Sequence, residues 1–155
     1  LPFEAKLVGA AGSMLGSGAV IVMDDTTDIP AAAYTLVRFY AHESCGKCVP
    51  CREGGTWLER IMKRIVDGHG TMQDLDQLYE IGQTICPGDF PHPASERLGL
   101  EAKPFPFKMT TICFVGPSAY TAVDSALTLF RDEFEAKIVR RNLIPVSVGA
   151  SDDEH

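Results

Sequence analysis

Trp57, Leu58, Ile61, Met62, Ile65 and Val66 recur at three- and four-residue steps, with Glu59, Arg60, Lys63 and Arg64 between them. That spacing predicts an amphipathic helix from about Pro50, ended by Gly68 and Gly70, with Trp57 as a core residue. Upstream, Asp28 is a candidate N-cap and Pro30 lies near the first turn of a helix running to about Glu43. Leu36, Val37, Phe39 and Tyr40 form its heavy face, and Gly46 stops it. Thr71, with Asp74 three places on, caps a third helix along Leu75, Leu78, Ile81 and Ile85. A last helix runs from about Ser118 to Arg141, with Val123, Ala126, Leu127, Phe130, Phe134 and Ile138 on one face. Lys137, Arg140 and Arg141 sit at its C-terminal end, where the helix dipole favours cations. Four amphipathic helices with mostly short joints predict a four-helix bundle.

Two stretches break this pattern. The 17 residues from Leu7 to Met23 carry no charge, but they are too short to span a bilayer and include four glycines. They lack the basic start and cleavage pattern of a signal peptide. Within them, residues 19–23 are β-branched and apolar, which predicts a Gly-rich turn followed by a buried strand. The chain changes class near Thr27. The second break runs from Cys86 to Thr111 and holds five of the ten prolines. A structureless loop of that length is uncommon inside a compact domain and marks a functional segment or an insertion. The acidic end from Ser151 to His155 reads as a disordered tail.

A chain of 155 residues with 45% apolar content can bury a core without a covalent staple. The net charge of −7 argues against a nucleic-acid binder, which would carry a basic stripe. Leu1 stands where a Met would, and the chain starts mid-pattern, which reads as a fragment or a processed piece.

Five cysteines is an odd number, and three of them, Cys45, Cys48 and Cys51, crowd into seven residues. This argues against a secreted disulfide framework and for a reducing compartment. The C-x-x-C-x-x-C spacing lets successive thiolates converge on one inorganic core. It suits three corners of an iron–sulfur cube better than zinc, whose ligands more often come as two separated pairs. Zinc held by three cysteines and a histidine (His42, His69 or His92) is the competing reading. The triplet spans a turn between two helices, and the positive end of the second helix points at it. Lys47 and Arg52 add cationic charge beside it, and such charge makes an anionic cluster easier to reduce. The fourth ligand is Cys86 or Cys113. Both follow a Thr-Ile pair, and spacing alone does not separate them.

Three runs carry a resemblance. The first extends from Gly12 to Asp24, around Gly16, Gly18 and the apolar residues 19–23. The second is Phe39-Tyr40-Ala41-His42-Glu43-Ser44-Cys45-Gly46-Lys47-Cys48-Val49-Pro50-Cys51-Arg52-Glu53-Gly54. The third is Phe130-Arg131-Asp132-Glu133-Phe134-Glu135. Together they resemble the C-terminal part of the flavin- and NADH-binding subunit of NADH:quinone oxidoreductase, respiratory complex I. Diaphorase subunits of NAD-reducing hydrogenases and formate dehydrogenases are close relatives. The resemblance implies a mostly α fold: a four-helix-bundle [4Fe–4S] domain over residues 28–145, with a Pro-rich insertion at about 86–110. Residues 1–27 would be the C-terminal remnant of a small β-grasp (ubiquitin-like, SLBB-like) domain, and 146–155 a polar tail.

By the same motif, Cys45, Cys48 and Cys51 match three cluster ligands, and Cys113 matches the fourth without a gap through to the Phe-Arg-Asp-Glu-Phe-Glu run. Two departures stand out: Gly116-Pro117 replaces the family's Gly-Asp, and the segment after Cys86 looks inserted. The implied role is a one-electron relay from FMN toward quinone in an NADH dehydrogenase, or the same relay in a hydrogenase or formate dehydrogenase. A structural zinc or interaction module is the alternative. FMN and NADH would bind only in the full-length parent, because no G-x-G-x-x-G stands between a strand and a helix here. No residue needs to act as a catalytic acid or base. The implied partners are a 2Fe–2S thioredoxin-like subunit and a larger iron–sulfur subunit. The implied location is the cytoplasmic face of the bacterial inner membrane, held peripherally through the complex and with no direct insertion.

Overall fold

The computed structural model describes residues 3–10, 15–87 and 109–142. The helices are α1 (Ala5–Ala10), α2 (Ile29–Glu43), α3 (Val49–Val66), α4 (Met72–Ile85) and α5 (Val115–Asn142). Among the described residues there is no strand, so the fold is mostly α.

Local chemistry fixes where three of the helices start. The Asp28 carboxylate accepts the Ala31 N–H at 3.0 Å, and Pro30 occupies the first turn of α2, where a missing N–H costs nothing. Pro50 does the same for α3, which Cys48 precedes in extended conformation. At α4, the Thr71 N–H donates to the Asp74 carboxylate at 2.7 Å, so the residue three places on reaches back to the cap. Gly68, at φ +75°, takes the left-handed turn that ends α3.

α2 packs on α3 and α5, α3 on α4 and α5, and α4 on α5; α2 and α4 lie diagonally apart. Val37, Leu58, Met62, Ile65, Leu75, Leu78, Ile85, Val123 and Phe134 are fully buried between them. Each such side chain contributes about 1.5–3 kcal/mol of burial.

Contacts at the helix ends give an up-down-up-down order. At one end, the Ile29 N–H donates to Glu133 at 3.3 Å, Lys137 pairs with Asp28 at 2.5 Å, and Arg64 on α3 pairs with Asp74 on α4. At the other end, Thr110 hydrogen-bonds the last carbonyls of α4, and Gly116 at the start of α5 lies against Cys51 at the start of α3.

Several expectations are corrected. Residues 19–23 form no strand and are exposed rather than buried; Val22 is 90% exposed, and no described residue pairs with its backbone. A strand needs a partner for its N–H and C=O groups, and β-branched composition alone supplies none. The described residues before Asp28 show no β-grasp remnant, and α1 overlaps the start of the stretch expected to be turn. Trp57 is 52% exposed, not core: it shares the helical period of Leu58 and Ile61, yet it lies at the edge of the apolar stripe. Phe39 is likewise exposed, and Ala33 and Val37 take the inward face of α2. The last helix begins at Val115 and is broken at Phe130, whose backbone (φ −134°, ψ 32°) is not helical, so that side chain leaves the core face. Most of the Pro-rich segment, His92 included, and the tail from 143 lie outside the described residues.

Candidate iron–sulfur site

All five cysteines belong to elements that meet at one end of the bundle. Cys45 and Cys48 lie in the α2–α3 turn, Cys51 in the first turn of α3, Cys86 at the end of α4, and Cys113 just before α5. A short connection forces α2 and α3 to be antiparallel neighbours, which holds the triplet at the bundle's mouth. Gly46, at φ +75°, lets the chain reverse between Cys45 and Cys48. Its carbonyl accepts from Arg52 Nη1 at 2.8 Å, so the first turn of α3 clips the loop in place.

The segment carrying Cys113 is tied to the same turn. Thr110 donates its hydroxyl to the carbonyls of Thr84 (2.7 Å) and Ile85 (2.8 Å), satisfying orphan acceptors at the end of α4. The Thr111 hydroxyl donates to the Cys113 carbonyl at 2.8 Å. The Ile112 N–H donates to Cys48 Sγ at 3.3 Å. Gly116 then lets α5 approach closely: a Cβ there would stand 3.2 Å from the Cys51 Cβ and 3.0 Å from Ile85. Glycine is the residue that fits where three elements meet this tightly.

The two candidates for a fourth ligand are separated by burial. Cys113 is exposed, as is Cys45, while Cys48 and Cys51 are half-buried. Cys86 is fully buried within the hydrophobic core. Burial first, and then the charge of Asp124, pushes the Cys86 thiol up to about 11. Cys86 thus lies in the core, whereas Cys113 lies on the exposed segment whose Ile112 N–H reaches the triplet.

Among the described residues, no three or more His, Cys, Asp or Glu side chains converge into a group that could hold a metal ion. The thiols share one end of the bundle without closing on a common centre. The donor set still fits an iron–sulfur cluster: four thiols on three elements, two of them half-buried, with a backbone N–H already aimed at one sulfur. The histidines fit a zinc reading less well. His42 is exposed and its Nδ1 lies 3.0 Å from Glu43 Oε1, and His69 is exposed behind α3, on the side of the closed helix ends.

The cationic residues are placed differently from each other. Lys47 is exposed in the turn. Arg52 is engaged, by the Gly46 carbonyl and by Glu53 Oε1 at 2.7 Å, so its charge is partly answered. Two residues that the sequence pattern did not single out belong to the site. Ser44 places its Oγ 3.4 Å from Cys51 Sγ, and Thr110 anchors the returning chain. A hydroxyl residue directly before the first cysteine was the available signal for Ser44; Thr110 gave none.

No helix among the described residues is long and apolar enough to cross a membrane.

Residues 31–90 match the family described as the NADH-ubiquinone oxidoreductase-F iron–sulfur binding region. Curated relatives extend the likeness. The chain is 37% identical over 138 residues to the F subunit of NADH-quinone oxidoreductase in Mycobacterium bovis. It is 39% identical over 141 residues to the F subunit in Streptomyces coelicolor, and 39% over 129 residues to that in Rickettsia bellii. These matches cover 89%, 91% and 83% of this chain and 26% of each relative, so the chain spans about a quarter of their length. The match to residues 31–90 includes Cys86 and stops before Cys113. A match of 138 residues within a chain of 155 must take in all five cysteines.

Proposed function

We propose, for a chain whose residues 31–90 carry the iron–sulfur binding region of the NADH-ubiquinone oxidoreductase-F family, that it forms the one-electron relay of an NADH dehydrogenase. It would hold a [4Fe–4S] cluster on Cys45, Cys48, Cys51 and Cys113, between FMN in the rest of the parent subunit and the path to quinone. The observation that carries the ligand set is the 3.3 Å hydrogen bond from the Ile112 N–H to Cys48 Sγ, together with the burial of Cys86. It brings the Cys113 segment to the triplet while the other candidate stays in the core.

A bound [4Fe–4S] cluster supplies reversible one-electron chemistry. The chain's own residues supply the setting. The first turn of α3 presents backbone N–H groups and the positive end of its dipole to an anionic ligand. Arg52 and Gly46 hold the loop, and Thr110 holds the segment that brings Cys113. Lys47 adds an exposed positive charge at the rim. No side chain here is required to make or break a substrate bond.

The wider context follows the same reading. Residues 28–145 act as the cluster-binding bundle, residues 1–27 as the end of a β-grasp domain completed by the parent chain, and about 86–110 as an insertion. Supporting partners are the other subunits of an NADH-oxidising module: a 2Fe–2S thioredoxin-like subunit and a larger iron–sulfur subunit, on the cytoplasmic face of the membrane. The test is oxygen-free purification of the full parent chain with iron and acid-labile sulfide assays. The expected result is about four of each per chain, as a [4Fe–4S] core requires. Zinc without sulfide would overturn the reading.

A further inference from the structure

We infer that the Ser44 hydroxyl is a positioning residue that sets the reduction potential of the site by donating a hydrogen bond to the Cys51 sulfur. The inference rests on the cluster reading above and goes beyond it by assigning a tuning group. Ser44 is the half-buried C-cap of α2, and its Oγ lies 3.4 Å from Cys51 Sγ. In a free thiol either atom could donate. A ligating thiolate has no proton, so the hydroxyl is then the only possible donor.

A second contact favours that direction. The Gly46 N–H points at Ser44 Oγ at 3.4 Å, so one lone pair of the oxygen is engaged and the hydroxyl proton is left to turn toward sulfur. Serial hydrogen bonds polarise one another, which strengthens the O–H as a donor. Gly46 keeps its place because its φ of +75° suits glycine and because Arg52 holds its carbonyl. Arg52 therefore acts through the loop, whereas Ser44 touches a ligand sulfur. A hydrogen bond to sulfur stabilises the more negative, reduced state and raises the potential. Ile112 donates to Cys48 from the backbone and so survives any side-chain change, whereas the Ser44 contact to sulfur comes from a side chain that substitution can remove.

The test uses the full parent chain, purified without oxygen, and compares native protein with Ser44→Ala, Ser44→Gly and Ser44→Thr. Iron and sulfide are assayed first, and the midpoint potential is then read by EPR-monitored redox titration. Ser44→Ala and Ser44→Gly should keep their iron and sulfide and become harder to reduce by about tenfold in the equilibrium constant, or ~59 mV for one electron. Ser44→Thr retains the hydroxyl and should stay near the native value. An unchanged potential in the hydroxyl-free variants overturns the inference. Loss of iron in both of them with retention in Ser44→Thr also overturns it, because the hydroxyl would then hold the ligand and not tune it. Native protein without iron and sulfide would instead sink the cluster reading itself.

Discussion

The two ends of the bundle are built to opposite rules. At the end where α2 starts and α5 finishes, polar groups answer one another: Asp28 with Lys137 and the Ala31 N–H, Glu133 with the Ile29 N–H, Asp74 with Arg64 and the Thr71 N–H. At the other end the polar groups fix a backbone, and thiols are left facing outward. Arg52 clips Gly46 and Thr110 anchors the returning chain, while Cys45 and Cys113 stay exposed. One end closes the fold by itself. The other leaves two thiols open to solvent.

The comparison breaks most visibly if the closed end is opened. Arg64→Ala leaves the Asp74 carboxylate, only 3% exposed, without its cation. Arg64 is itself partly exposed, so the loss should fall below that of a fully buried pair, at about 2 kcal/mol in urea unfolding. Iron content should not change. If it drops, the ends are coupled and the contrast between them is wrong.

Next in size is Asp28→Ala, which removes the N-cap and the Lys137 pair at once. About 1 kcal/mol should be lost. Both carboxylates also predict an acid limit. Burial pushes each of them up, but hydrogen bonds outweigh it, from Lys137 and Ala31 for Asp28 and from Arg64 and Thr71 for Asp74, and each ends below the usual range. A depressed folded pKa contributes stability above the unfolded value, about 3.9, and loses it as pH falls through the folded value. Unfolding midpoints should therefore fall below about pH 4, and less steeply in Arg64→Ala.

The smallest effect on stability, and the sharpest contrast at the open end, is thiol reactivity. In chelator-treated protein at pH 8, Cys45 and Cys113 should alkylate readily. Cys86, buried and pushed up to about 11, should react on the order of a hundredfold more slowly, as mass spectrometry of the labelled chain would read. Equal labelling would remove the physical basis for preferring Cys113.

What the sequence makes legible follows from the range of the forces involved. Asp28, Pro30, Pro50, Thr71 and Asp74 act within one turn, and the helix starts they mark stand within a residue or two of where the structure has them. The triplet is legible for the same reason, since its spacing is local. Trp57 departs from its expected burial because period gives the face of a helix but not how far a neighbour reaches around it. Residues 19–23 look like a strand because composition reports what would suit a sheet, not whether a partner exists. The break at Phe130 has no proline or glycine to announce it. Cys86 and Cys113 sit in near-identical Thr-Ile-Cys contexts, and only the packing around α4 buries one of them.

The most direct test of the account is EPR of the reduced, oxygen-protected parent chain with Cys113→Ser set beside Cys86→Ser. The account predicts that Cys113→Ser loses the native cubane signal and its sulfide while Cys86→Ser keeps both. A native signal in Cys113→Ser and its loss in Cys86→Ser would contradict it.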